Sequence, residues 1–436
     1  MTITSRAAPT GGFKTQSIGA IAFAGTVGTI VEWYDFIIYG TAAALVFNKL
    51  FFPNVDPRIG TLAALGSFAV GFLARPIGGA IFGHFGDRLG RKSMLMITMV
   101  AMGLATAAIG LLPTYAQIGI WAPILLVLLR VIQGIALGGE WGGASLMVLE
   151  HAPANRRGLF GSLVQVGFPI GLVAASVIFS TVASLPDADF KSWGWRIPFL
   201  ASILLVGIGI FVRARLPETP VFEQIKKRGQ IVRTPLLEMI VKNPRSFLVA
   251  VGLKLSEVSW VYMLTVFVVV YATTKLGLSK SLMLNAISLA ALLELVTIPL
   301  FGHLSDIYGR RALYFAGVAF TIIFAFPLFW LLNIGSPGIV ILTVVIALNF
   351  GHGLMFAPES TYFPELFGAN VRYSGASLGF QVSAAIGGGF APVIAAALAA
   401  YMGGTAGVSI MLILLALITL VATLFARETK DDPALT

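Results

Sequence analysis

Apolar residues fill about a dozen continuous runs of roughly 20 or more positions, separated by short polar connections, and such a run matches a helix crossing a hydrocarbon core of about 30 Å. The strands of a transmembrane barrel would instead read as alternating segments of about 10 residues. The pattern predicts spans at 18–47, 59–82, 94–113, 119–149, 158–184, 195–214, 246–273, 282–302, 312–333, 338–358, 374–400 and 406–426. The expected fold class is an all-α membrane protein with 12 transmembrane helices, which puts both ends of the chain on one side. Residues 215–245 form the longest polar connection and divide the spans six and six, giving bundles over 18–214 and 246–427 with tails at 1–17 and 428–436. The first 17 residues are polar and weakly basic. The run after them is too long for a cleaved signal sequence and contains acids, so it reads as a retained first helix.

Composition narrows the function. With 57% hydrophobic and only 11% charged residues the chain is excluded as a water-soluble globule, and the lack of cysteine excludes disulfides, thiolate metal sites and thiol catalysis. A net charge of +10 raises nucleic acid as a partner, so the position of the basic residues decides. Of 29 lysines and arginines, 20 fall on the side of the termini, six on the other and three inside spans. That bias orients a membrane protein with cytoplasmic termini; it is not a nucleic-acid footprint.

An internal repeat follows the same division. Gly83, Asp87, Gly90, Arg91 and Lys92 after the second span, with Arg88 among them, return as Gly302, Asp306, Gly309, Arg310 and Arg311 after the eighth, 219 residues on, where Ile307 stands in place of Arg88. Asn155, Gly158, Ser162, Leu163 and Gln165 are echoed by Asn370, Gly375, Ser377, Leu378 and Gln381, which matches the fifth span to the eleventh. Duplicated six-helix halves suit two bodies rocking about a central site. An Asp at the end of one helix can sit against the N-terminal dipole of a neighbour while an adjacent Arg pairs across the loop. Asp87, Arg88, Arg91, Asp306 and Arg310 are therefore candidate gating residues, the plainer reading being repeated basic loops.

These residues resemble the loop signature G-x-x-x-D-R-x-G-R-[RK] of the major facilitator superfamily, complete at Gly83 to Lys92 and degenerate at Gly302 to Arg311, and Arg130, Gln133 and Gly134 are similar to its R-x-x-Q-G motif. Its metabolite:H+ symporter family is resembled through Glu32-Trp33-Tyr34-Asp35, Ala74-Arg75-Pro76, Gly139-Glu140-Trp141 and Trp193-Gly194-Trp195-Arg196, with likeness over about 18–428. Within that family the chain looks most like the shikimate-carrying members, on Ser192 to Leu200, Phe367 to Gly375, and Lys254 with Glu257. The resemblance implies a fold of two pseudo-symmetric six-helix bundles in the bacterial cytoplasmic (inner) membrane. It implies proton-coupled uptake of a small organic carboxylate, such as shikimate or a related hydroxylated, aromatic or dicarboxylic acid. The alternative is a proline or betaine symporter; a passive pore and a membrane-embedded enzyme are the readings from other classes. The expected partners are the organic anion, the proton and the bilayer, with no cofactor and with a monomer as the unit.

Eight ionisable residues lie well inside the spans: Glu32, Asp35, Arg75, Arg130, Glu140, Lys254, Glu257 and Glu294. At about 3 kcal/mol each, exposing them all to lipid would cost on the order of 24 kcal/mol, so they face the interior, pair, or both. Glu32 and Asp35 share a helical face near mid-depth, and a desolvated carboxylate beside a like charge takes up a proton readily. They lead the candidate proton carriers, followed by Glu140, Glu257 and Glu294; a structural ion pair is the competing reading for each. Arg130 presents a planar fork suited to a carboxylate, belonging to substrate or to Asp35. Arg75, nearer the end of its span where snorkelling is easy, is a candidate for substrate contact or gating. Lys254 either pairs with Glu257 or binds the anion from the second half, and Glu294 lacks a partner within one turn.

Further substrate-contact candidates are Tyr34 and Tyr262 as stacking rings, Gln133 in the arginine motif, and the repeat-related pair Gln165 and Gln381, which can equally join helices. Asn349 and His352 are similar to residues of the shikimate-carrying members, a likeness that suggests hydrogen bonds to substrate hydroxyls, the equal alternative being a histidine satisfied by packing. Gly86 to Ser93 lacks the Lys position and preceding strand of a phosphate-binding loop. Gly375-Ala-Ser377-Leu-Gly379 opens an apolar helix instead of a strand-to-helix elbow. The four histidines have no metal-ligand spacing.

Overall fold

The computed structural model describes residues 17–54, 56–229 and 232–432. The expected N-terminal tail, apart from Ser17, and the end of the C-terminal tail at 433–436 lie outside the described residues. Among the described residues twelve helices are long and apolar enough to cross a membrane: α1 (Ile18–Leu50), α2 (Gly66–Leu89), α3 (Arg91–Leu111), α4 (Trp121–Leu149), α5 (Ala154–Ala183), α6 (Arg196–Ala214), α7 (Pro244–Thr274), α8 (Lys280–Tyr308), α9 (Arg310–Asn333), α10 (Pro337–Glu365), α11 (Arg372–Tyr401) and α12 (Ala406–Phe425). No strand occurs among the described residues. Leu104, Leu204 and Ile323 are exposed whereas the interior ionisable groups are buried, the arrangement that suits a lipid surround.

Three helices outrun their predicted ends by more than one turn: α2 reaches Leu89, α8 reaches Tyr308 and α10 reaches Glu365. Polar side chains do not stop a helix; a backbone turn does. Gly90 (φ 116°) and Gly309 (φ 101°) supply that turn in a region that residues with a Cβ avoid, and α3 and α9 start at the next residue. The repeated aspartates therefore lie on helix ends instead of in loops.

Within the first half α4 packs on α2 and α3, and α1 on α5. Within the second, α12 packs on α7 and α9, and α8 on α10. The halves meet chiefly through α2 with α11 and α5 with α8 and α10, and two short helices, Pro220–Lys227 and Pro235–Lys242, lie in the connection. A Cβ on Gly138 would stand 2.2 Å from the Arg75 carbonyl oxygen and one on Gly134 2.4 Å from that of Gly71, so these glycines let α2 and α4 touch backbone to backbone. That contact carries Arg75 and Arg130 to one aromatic group. In the second half α7 widens into π turns at Met263–Phe267 and α10 at Ala347–His352, a device that re-aims side chains and is frequent at functional sites.

Candidate functional site

The first half presents its interior charges in a chain. Thr106 Oγ1 of α3 donates to Asp35 Oδ2 of α1 at 2.7 Å, Gln133 Nε2 of α4 donates to Thr106 Oγ1 at 2.7 Å, and Arg130 Nη1 donates to Gln133 Oε1 at 2.5 Å. The spacing of Arg130 and Gln133 puts them on one face of α4, so the last link is local. The Arg130 guanidinium lies 4.2 Å from the ring centroid of Tyr39, 5.2 Å from Phe68 and 5.4 Å from Phe36. Its Nε and Nη2 have no hydrogen-bond partner, and among the described residues it makes no ion pair. Arg75 is 4.0 Å from Glu32 and 4.9 Å from the centroids of Phe36 and Phe72. Tyr262 of α7 reaches this group from the other half, 5.3 Å from Phe72 and 6.1 Å from Phe36.

The second half holds a branched network on three helices. Lys254 Nζ of α7 lies 2.5 Å from Glu257 and 2.9 Å from Glu359 of α10. His352 of α10 places Nε2 3.0 Å from Glu257 and Nδ1 2.7 Å from Glu294 of α8. Each ring nitrogen faces a carboxylate, so each contact contains a proton, on nitrogen or on oxygen. Three carboxylates thus share one ammonium and one imidazole. The network abuts the bundle interface: Phe168 of α5 is 5.3 Å from the His352 ring, and Lys254 Nζ is 4.0 Å from Phe380, which stacks at 3.9 Å on Trp141 of α4.

Across the interface the repeat is legible atom by atom. Gln165 of α5 donates to the Phe356 carbonyl oxygen of α10 at 3.0 Å, and Gln381 of α11 donates to that of Gly138 of α4 at 3.4 Å. On the face carrying the repeated motif, Asp87 accepts the backbone N–H groups of Tyr373 and Ser374 at 3.2 and 2.9 Å, and Asp306 those of Gly158 and Leu159 at 2.7 and 2.9 Å. Arg91 pairs with Glu150 at 3.2 Å, while Arg310 pairs with Asp306 at 2.8 Å and Glu365 at 3.4 Å. Asp87 and Asp306 each tie one half to the N-terminus of a helix in the other.

Several expectations from sequence change. Tyr34 is buried inside the first bundle and donates to the Pro198 carbonyl oxygen at 2.8 Å, so it does not face the interface. Glu140 pairs with Arg213 of α6 and accepts from Thr98 at 3.0 Å, which also places it within the bundle. Arg75 is 3% exposed and does not snorkel. Asn349 donates to the Ala290 and Val345 carbonyl oxygens at 3.1 and 3.0 Å and accepts from Thr297 at 2.6 Å; its polar atoms are already used, as are both nitrogens of His352. Gln133 is the middle of the Arg130 chain, Gln165 and Gln381 join helices, and Arg88 is exposed with its contact at His84, 3.3 Å away. Glu294 finds its partner between helices.

Reading the sequence missed Thr106, Arg213 and Glu359. Glu359 escaped because the tenth span was ended at 358, one residue short of it. Glu218 accepts the N–H groups of Arg91 and Lys92 at 3.1 and 3.3 Å, and Glu428 those of Arg310 and Arg311 at 2.9 and 3.0 Å. The signal was present: Glu218-Thr219 after the sixth span recurs as Glu428-Thr429 after the twelfth.

Residues 26–392 match the family described as Major Facilitator Superfamily. The chain is 46% identical over 407 residues to the shikimate transporter of Escherichia coli (strain K12), covering 92% of this chain and 93% of that protein. It is 36% identical to the proline/betaine transporter of Salmonella typhimurium, over 94% of this chain and 83% of that one. Its fold is similar to that of the proton:xylose symporter XylE bound to 6-bromo-6-deoxy-D-glucose, with a TM-score of 0.73, 18% identity and coverage of 94% of this chain and 96% of that one.

Proposed function

Because the chain belongs to the major facilitator superfamily, we propose that it takes up a small organic carboxylate together with protons, by alternating access across a bacterial inner membrane. It is a membrane transporter and not an enzyme. The bias of its basic residues supports cytoplasmic termini, which makes the face of Asp87 and Asp306 the cytoplasmic one.

The observation that carries this reading is Arg130. A buried guanidinium with two nitrogens unpartnered is costly by several kcal/mol, and the carboxylate of a substrate would complete its fork. The rings of Tyr39, Phe36 and Phe68 around it suit a flat or cyclic body behind that carboxylate. Asp35, reached through hydrogen bonds, is the proton carrier this reading favours, with Glu32 beside Arg75 as a second interior acid. Glu257, Glu294 and Glu359 hold more carboxylate than Lys254 and His352 can neutralise and give the second half its own proton-binding capacity. The relation to the shikimate transporter supports shikimate or a related acid as the substrate.

The relation to the proline/betaine transporter supports a zwitterion instead. A quaternary ammonium would seek aromatic faces, but Arg75 already lies over Phe36 and Phe72 and would repel it. The test is a thermal-shift screen of purified protein with shikimate, quinate, hydroxybenzoates, 2-oxoglutarate, citrate, proline and betaine, since a ligand bound to the folded state raises its stability. Stabilisation by one carboxylate, lost in Arg130→Gln, supports the anion reading; stabilisation by betaine or proline alone overturns it.

A further inference from the structure

We infer that Thr106 is the positioning residue that couples the proton to the anion, by turning one hydroxyl between Asp35 and the Met102 carbonyl oxygen. This rests on the reading of Arg130 and Asp35 as anion and proton sites. Thr106 Oγ1 has three polar neighbours: Asp35 Oδ2 at 2.7 Å, Gln133 Nε2 at 2.7 Å and the Met102 oxygen at 3.0 Å. Gln133 is a donor there, because its Oε1 is occupied by Arg130. The hydroxyl has one hydrogen and two lone pairs, so its hydrogen goes either to Asp35 or to Met102.

With Asp35 ionised, the hydroxyl donates to the carboxylate and accepts from Gln133. Every dipole from the Arg130 cation through the Gln133 amide and the Thr106 hydroxyl to the Asp35 anion then points the same way, and such chains polarise one another. Arg130 and Asp35 are opposite charges linked through two neutral groups and not in direct contact. When a proton enters on Asp35 Oδ2, that O–H donates to Thr106 Oγ1 and the hydroxyl hydrogen swings to Met102. Gln133 keeps its bond, no heavy atom has to move, and all bonds stay satisfied. The alignment is broken at its first link, and the Arg130 charge, no longer balanced by an Asp35 anion, is free for a substrate carboxylate. By linkage, anion at Arg130 favours protonation of Asp35 to the same degree.

The groups that bear on Asp35 are few. Glu32 and Tyr34 share its helix; Arg130 approaches from α4, Arg75 from α2 pairs with Glu32, and Arg213 from α6 pairs with Glu140. The side of α5 against α1 is built on Gly167 and Gly171, and α5 carries no charged residue after Arg157. Asp35 Oδ1 has no hydrogen-bond partner, so Thr106 is the donor that stabilises its ionised form.

Thr106→Val keeps the shape and removes the hydroxyl, Thr106→Ser keeps the hydroxyl, and Gln133→Met breaks the middle link. Shikimate binding to full-length wild type should weaken by up to about tenfold per pH unit as the free protein's linked acid ionises. Thr106→Val and Gln133→Met should each bind with less than about a twofold change over two pH units. Thr106→Val should keep shikimate counterflow yet lose accumulation, and Thr106→Ser should restore the pH slope. A wild-type slope retained in Thr106→Val overturns the coupling role while leaving the anion reading intact. No shikimate binding by wild type at any pH instead overturns the reading on which it rests. If Thr106→Val does not fold, Thr106→Ser and Gln133→Met decide: a flat profile in Thr106→Ser or a normal one in Gln133→Met refutes the switch.

Discussion

Lys254 and Glu359 are joined across α7 and α10 by a 2.9 Å ion pair, and the same ammonium holds Glu257 at 2.5 Å. One cation therefore keeps two buried carboxylates in place. Removing it leaves uncompensated charge, which costs about 3–5 kcal/mol. Lys254→Met should lower the melting temperature of the purified protein clearly, and adding Glu359→Gln should recover part of the loss. Equal melting curves for wild type and Lys254→Met would mean that the network does not hold the second bundle together.

Asp87 and Asp306 should govern which face of the transporter opens. Each accepts two backbone N–H groups at a helix N-terminus of the opposite half, a contact worth about 0.3–1 kcal/mol and up to about 2 when partly buried. Asparagine keeps the shape and loses the charge. The chain has no native cysteine, so Ser377→Cys, between α11 and α4, gives a single reporter. Thiol labelling of that reporter should be about fivefold or more faster in the Asp87→Asn, Asp306→Asn double variant; unchanged labelling would remove the latch role.

How far the sequence reached follows from the range of each interaction. Helix number, the repeat and the pairing of Lys254 with Glu257 rest on apolar run length and on spacing along one helix, which a linear pattern carries. What Tyr34 and Asn349 touch depends on which neighbouring helix lies opposite, and both turned out to be satisfied inside their own halves. Thr106 could not be singled out, since a lone threonine in an apolar helix usually bonds its own backbone, as this one also does through Met102. Glu359 lies one residue past the predicted end of the tenth span, and Arg213 one residue before that of the sixth, where basic residues are common and signal no interior partner.

Asn349 should matter for stability and not for substrate. Asn349→Ala strips three hydrogen bonds between α8 and α10 or within α10 and leaves buried partners unpaired, at about 1–3 kcal/mol each. The melting temperature should fall while shikimate affinity, measured on the folded fraction, changes by less than about threefold, under about 0.7 kcal/mol. An affinity loss of tenfold or more, about 1.4 kcal/mol, at unchanged stability would return Asn349 to the substrate site.

Proton-coupled uptake is read most directly from shikimate uptake by cells or right-side-out vesicles with the external pH recorded at the same time. The expected result is alkalinisation of the medium on adding shikimate and accumulation above equilibrium that a protonophore abolishes. Arg130→Gln should abolish both by loss of binding, whereas Asp35→Asn should keep counterflow and lose both accumulation and the pH signal. Equilibration of shikimate without proton movement in wild type, or full uphill accumulation by Asp35→Asn, would contradict the account.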